Sequence, residues 1–191
     1  MMKRRCAPVR IAAALLLAVL VGSSPAPALA LDAPQGQAIV TVVGAIAETN
    51  RGPFDEAEDK FFLYHEYKFE NAASFDLAML EALGTQSVEI AYDGWPAPIR
   101  FDGPLLADLL DAVGAHGTSV TLLALDGYAE RIEGADIEAY RWILATRANG
   151  SPLPIGGHGP TWLVYDRGTD HRYTPDDEAR WPWAVFLIVV E

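Results

Sequence analysis

The apolar residues of this chain fall into short blocks punctuated by Gly, Pro, Asn and Asp, and the period within the blocks keeps changing. Ala38 to Ile46 is rich in β-branched residues and predicts a first strand. Leu77, Leu80 and Leu83 recur at helical spacing, so Phe75 to Leu83 predicts a helix with Gly84 just past its end. Ser87 to Tyr92 predicts a strand, and Asp93-Gly94-Trp95-Pro96 a turn. Pro104 then opens a predicted helix whose stripe is Leu105, Leu106, Leu109, Leu110 and Val113, ending at Gly114. Val120 to Leu125 reads as a buried strand, which Asp126-Gly127 turns into another near Ala129 to Ile132. Asp136 is placed to cap a short helix through Tyr140.

The second half is more sharply marked. Asn149-Gly150 readily supplies two positive φ angles and predicts a tight hairpin. Gly156-Gly157-His158-Gly159-Pro160 is a loop whose backbone can approach a ligand or another chain closely. Trp162 to Tyr165 returns to strand composition. Thr174 and Asp177 have the spacing of a capping box. Ala184 to Val190 is a continuous apolar run, the mark of a central, well-covered strand. Phe54 to Asn71 follows neither period cleanly; it predicts a short helix and an extended piece lying over the main body. Strands with interspersed helices but no regular βαβ alternation argue an α+β fold with mixed sheets.

Met1 to Ala30 has the parts of a secretory signal peptide. Lys3, Arg4, Arg5 and Arg10 form a basic region, Ile11 to Val21 an apolar region too short to span, and Ala28-Leu29-Ala30 a small-residue cleavage site. The expectation is export to the periplasm, a single mature domain over residues 31–191, and no stable membrane anchor after processing. Cleavage leaves 10 Lys and Arg against 26 Asp and Glu, a formal charge of −16. Such a surface repels nucleic acid. Cys6, the one cysteine, leaves with the leader, so the mature chain has no thiolate for a metal, a disulfide or nucleophilic catalysis.

Several segments, in order and spacing, resemble the molybdopterin-binding oxidoreductase domain of the sulfite-oxidase fold. They are VTVVG at Val40, FDLAMLEAL at Phe75, FDGPLLADLL at Phe101, ALDGY at Ala124, GPTWLVY at Gly159 and the Trp-rich turn and closing strand from Trp181 to Val190. The resemblance implies that fold, with molybdopterin as the associated cofactor. It also exposes a departure. The family's metal-binding members carry a cysteine ligand after the strand corresponding to Ser87–Tyr92, and this chain has Ala91-Tyr92-Asp93 there. Neither a phenol nor a carboxylate replaces sulfur at a soft-metal site. The expected function is therefore a small-ligand or protein-binding module on an inherited scaffold, with no cofactor retained. The alternative is a molybdopterin-dependent oxidoreductase ligated through Tyr92 or Asp93.

Candidate ligand-binding residues follow from chemistry and position. Asp126 and Tyr128 place a carboxylate and a phenol at a strand end, although a short Asp side chain there also satisfies the turn backbone. His158 and Gly159 sit in the Gly-rich loop, where backbone amides can form an anion nest. Arg100, with Arg141 and Arg147, is a candidate anion ligand that surface carboxylates compete for. Trp181 belongs to a Trp-Pro-Trp turn suited to lining a pocket or interface. His65, Glu66 and His171 match no metal-ligand spacing. The partners expected are a small molecule or a periplasmic protein.

Overall fold

The computed structural model describes residues 31–168 and 171–191; the leader read over Met1 to Ala30 lies outside them. The fold is α+β, with three sheets and five short helices among the described residues. The strands are β1 Val40–Gly44, β2 Ala72–Phe75, β3 Gln86–Ile90, β4 Ile99–Gly103, β5 Ser119–Ala124, β6 Ala129–Glu133, β7 Arg141–Ala145, β8 Arg147–Ala148, β9 Ser151–Pro152, β10 Trp162–Asp166 and β11 Val185–Val190. The helices are α1 Lys60–Tyr64, α2 Leu77–Ala82, α3 Leu106–Ala112, α4 Gly134–Ala139 and α5 Pro175–Glu178.

The largest sheet has the order β2-β1-β11-β5-β6, with β1 and β11 parallel and the other pairs antiparallel. Its central strand is β11, the continuous apolar run. The reason is visible on both faces. Val42, Leu122 and Ile188 point into the main core with Leu80 of α2 and Leu106 and Leu109 of α3. Their neighbours Val43, Leu123 and Leu187 point the other way, into a second cluster. A bulge between Val185 and Leu187 sends Phe186 to that second side as well. The aromatic segment covers this face: Phe54, Phe62, Tyr67 and Phe69 close over Phe186 and Leu187. Phe62 and Phe69 meet edge to face at 5.4 Å, as do Phe54 and Phe69 at 5.9 Å. The segment is thus a short helix and an extended piece lying on its own sheet.

The remaining strands form a β3-β4-β8-β9 sheet and a β7-β10 pair. Leu144 N–H donates to the Pro104 carbonyl and Thr146 N–H to that of Asp102, which ties these two together. The Asn149-Gly150 turn closes β8 onto β9 with φ of 49° and 78°, the mirror-image turn that fits strand twist.

Three local expectations need correction. Phe75 ends β2 rather than opening a helix; Asp76 caps α2 by accepting Met79 N–H at 2.9 Å. Ala72–Phe75 was hidden as a strand because its alanines carry no period. Phe101–Gly103 is strand, paired with both β3 and β8, and α3 starts only at Leu106, so Pro104 precedes the helix. Asp136 does not cap α4; Glu133 occupies that place, and Asp136 lies in the first turn, where Arg180 binds its carboxylate. For Phe75 and Phe101–Gly103 pairing across the sheets outweighed the local helix signal.

Candidate functional site

Two short pieces of chain, 50 residues apart, build the candidate site. The first is the β5–β6 turn. Gly127 sits at φ 90°, its N–H donates to the Ala124 carbonyl, and Asp126 Oδ1 accepts Tyr128 N–H at 3.0 Å. Asp126 therefore satisfies the turn backbone, as the short side chain favours, while remaining exposed. Tyr128 is left projecting and 46% exposed.

The second piece runs from α5 to β11. Thr174 and Asp177 form the anticipated reciprocal cap, Thr174 accepting Asp177 N–H and Asp177 accepting Thr174 N–H at 2.8 Å. Asp177 is 5% exposed and is the hub of this region. Its carboxylate accepts Tyr165 O–H at 2.6 Å and Thr174 O–H at 2.8 Å, with His171 Nε2 and Arg167 each 3.3 Å away. Burial alone would raise the Asp177 pKa; the hydrogen bonds from Tyr165, Thr174 and His171 outweigh it and hold the group well below the usual carboxylate range. Burial and the Asp177 charge push the Tyr165 phenol far up.

After α5 the chain passes through Ala179, Arg180, Trp181, Pro182 and Trp183 before Ala184, at φ 56°, turns it into β11. Tyr128 O–H donates to the Ala179 carbonyl at 2.7 Å and clamps the two pieces together. Burial, with a smaller push from Glu130, raises the Tyr128 pKa, which keeps the phenol a donor. Arg180 turns away from this clamp: it forks between Glu130 and Asp136, 2.9 Å from each, and lies over the Trp142 ring.

Between the two pieces is a cavity of about 210 Å³, lined by Ala124, Asp126, Tyr128, Glu178, Ala179, Trp181, Pro182 and Trp183. Trp183 is 42% exposed and Trp181 2%. Trp181 forms the floor, packed against Tyr92, Trp95, Tyr165 and Tyr173. Its indole N–H has no hydrogen-bond partner among the described residues. His158 stacks on Trp162 at 4.2 Å and meets Trp183 edge-on at 5.7 Å, so the Gly-rich loop borders the same place. Gly159 is buried there: a Cβ on it would run into the Leu153 carbonyl, which is why the loop needs glycine.

Of the sequence candidates, Asp126, Tyr128 and Trp181 share the cavity, and His158 and Gly159 lie beside it. Tyr92 stands behind Trp181. Asp93 is exposed and paired with Arg172. Arg100 is turned onto Asp102 and Ser87, Arg141 onto Asp166, and Arg147 onto Glu81. His65 packs among Phe61, Tyr64 and Phe186, whereas His171 pairs with Asp177. Sequence reasoning missed Glu178, which carries no period or motif of its own; only the fold brings it to Asp126.

A second cavity, about 400 Å³, opens beside the end of β3. Its described lining includes Glu89, Asp166 and His171, whose Nε2 lies 3.3 Å from Asp177. The described lining holds no sulfur and no guanidinium group, the donors a molybdenum pterin would want. No protein-family model matches the chain, and no curated protein matches it significantly.

Proposed function

We propose that this protein is an exported binding module for a small ligand, built on a sulfite-oxidase-type scaffold from which the metal-gripping thiolate has been lost. The observation that carries the reading is the cavity between the β5–β6 turn and the Trp-Pro-Trp turn. It gathers Asp126, Tyr128, Trp181 and Trp183 from distant parts of the chain, beside the loop bearing His158. Aromatic side chains beside a few convergent polar groups recur in ligand sites. The order of the resembling segments supports the scaffold, and the leader-like Met1 to Ala30 supports export.

The oxidoreductase alternative would route a metal through Tyr92 or Asp93. Asp93 is engaged by Arg172, and Tyr92 packs edge-on against Trp95 at 5.5 Å. These contacts favour the binding reading. Two measurements test it. Protein purified from its natural host should hold less than about one-tenth equivalent of molybdenum by elemental analysis, because soft-metal retention without protein sulfur is weak. A small-molecule screen by thermal shift should yield ligands whose stabilisation is lost in Trp183→Ala and reduced in His158→Ala and Tyr128→Phe. Stoichiometric molybdenum, or hits indifferent to all three substitutions, would reject the proposal.

A further inference from the structure

We infer that the cavity takes a small organic cation of the methylated-ammonium class; this rests on the cavity being the ligand site.

The first reason is the wall. Tyr128 and Trp183, 46% and 42% exposed, offer aromatic surface from the turn and the rim, and Trp181, 2% exposed and packed among four other rings, closes the floor. Aromatic faces attract a cation through their quadrupole, and indole does so best. The second reason is charge. Asp126 and Glu178 are the lining carboxylates, and the described lining holds no Lys, Arg or His. Among the described residues, neither carboxylate is in an ion pair. Arg180, adjacent to Trp181 in sequence, does not pair with either. Glu130 and Asp136 hold it instead. An anionic ligand would thus face two carboxylates with no cation in the described lining.

The third reason is size. At about 210 Å³ the cavity is smaller than the roughly 300–1,000 Å³ of drug-sized sites, which suits a headgroup rather than an extended molecule. A trimethylammonium group is compact, weakly hydrated and unable to donate hydrogen bonds. It gains most from aromatic contact and least from a fixed hydrogen-bond partner. The field of the whole molecule acts in the same sense, since residues 31–191 carry a formal charge of −16.

Two sources present this chemistry: a free solute such as choline, and the choline headgroup of a lipid. The test is calorimetric titration of the purified protein with choline and with its uncharged isostere 3,3-dimethylbutan-1-ol, alongside co-sedimentation with phosphatidylcholine and phosphatidylglycerol vesicles. The expected result is saturable choline binding at least about tenfold tighter than that of the isostere. Trp183→Ala and the double variant Asp126→Asn/Glu178→Gln should each weaken choline by about fivefold or more without a lower melting temperature. Choline binding without sedimentation assigns a free solute. Sedimentation with phosphatidylcholine alone, competed by choline, assigns the headgroup. Equal affinity for choline and its isostere, lost in Trp183→Ala, overturns the cation inference and leaves the binding module standing. Absence of saturable binding by choline and tetramethylammonium up to about 10 mM overturns it as well; a thermal-shift screen that also finds no Trp183-dependent ligand removes both.

Discussion

Asp177 shows how much one side chain can organise. It caps α5, anchors Tyr165 of β10 and gathers His171 and Arg167, all from a position 5% exposed. Asn has one accepting oxygen and an NH2 that only donates, so Asp177→Asn should destabilise the fold by about 2–4 kcal/mol in urea denaturation at pH 7. The sign of the pH effect follows from its lowered pKa. Its contribution is complete above the ordinary carboxylate range and is lost as pH falls below about 4 toward the folded-state value. Asp59, whose burial is outweighed by two 2.7 Å bonds from Arg51, acts in the same direction. The wild-type melting temperature should therefore drop steeply in acid, and the drop should be shallower in Asp177→Asn. An equal slope in both would place the acid sensitivity elsewhere. The Thr174–Asp177 cap was legible from spacing; the pull of Tyr165 on it was not, because β10 and α5 meet only in the folded chain.

At the scale of elements, the aromatic segment from Phe54 to Phe69 is the instructive case. Its mixed period concealed a division of labour. Phe62 and Phe69 turn into the sheet, while Phe61 and Tyr64 stack on each other at the surface. Phe69→Ala should cost about 3–5 kcal/mol, the usual result of emptying a packed aromatic site. Tyr64→Ala, at a residue 78% exposed, should cost less than about 0.5 kcal/mol. Paired chemical denaturation curves distinguish them, and similar losses would mean that the segment is held differently. The Asn149-Gly150 hairpin is the opposite kind of element, fully announced by its dipeptide. Gly150 has φ 78° and open space around it, so Gly150→Ala tests backbone strain alone and should cost about 1 kcal/mol.

For the whole molecule, the main core draws side chains from all three sheets, with Val42, Phe101 and Leu163 in one cluster. Residues 31–191 should then unfold as one cooperative unit, with tryptophan fluorescence and far-ultraviolet circular dichroism giving coincident transitions. Separate midpoints would divide the region. The acidic surface belongs to this scale as well: it attracts cations to a cavity whose own carboxylates have no described counter-charge, so choline affinity should fall as salt rises from low to physiological ionic strength. A salt-independent titration would assign the affinity to aromatic contact alone.

The amino-acid sequence by itself determined the α+β class, the turns at Asp126-Gly127 and Asn149-Gly150, the cap at Thr174 and the central place of Val185–Val190. Each of these depends on interactions among residues a few positions apart, or on a run of apolar side chains that only a doubly covered strand can bury. The tertiary structure decided the strand at Ile99–Gly103, the side of the sheet that Phe54 to Phe69 covers, and the meeting of Asp126 and Tyr128 with Glu178 and Trp183. Those outcomes depend on pairings between segments tens of residues apart, and no local period or dipeptide encodes which distant backbone or ring will be the partner.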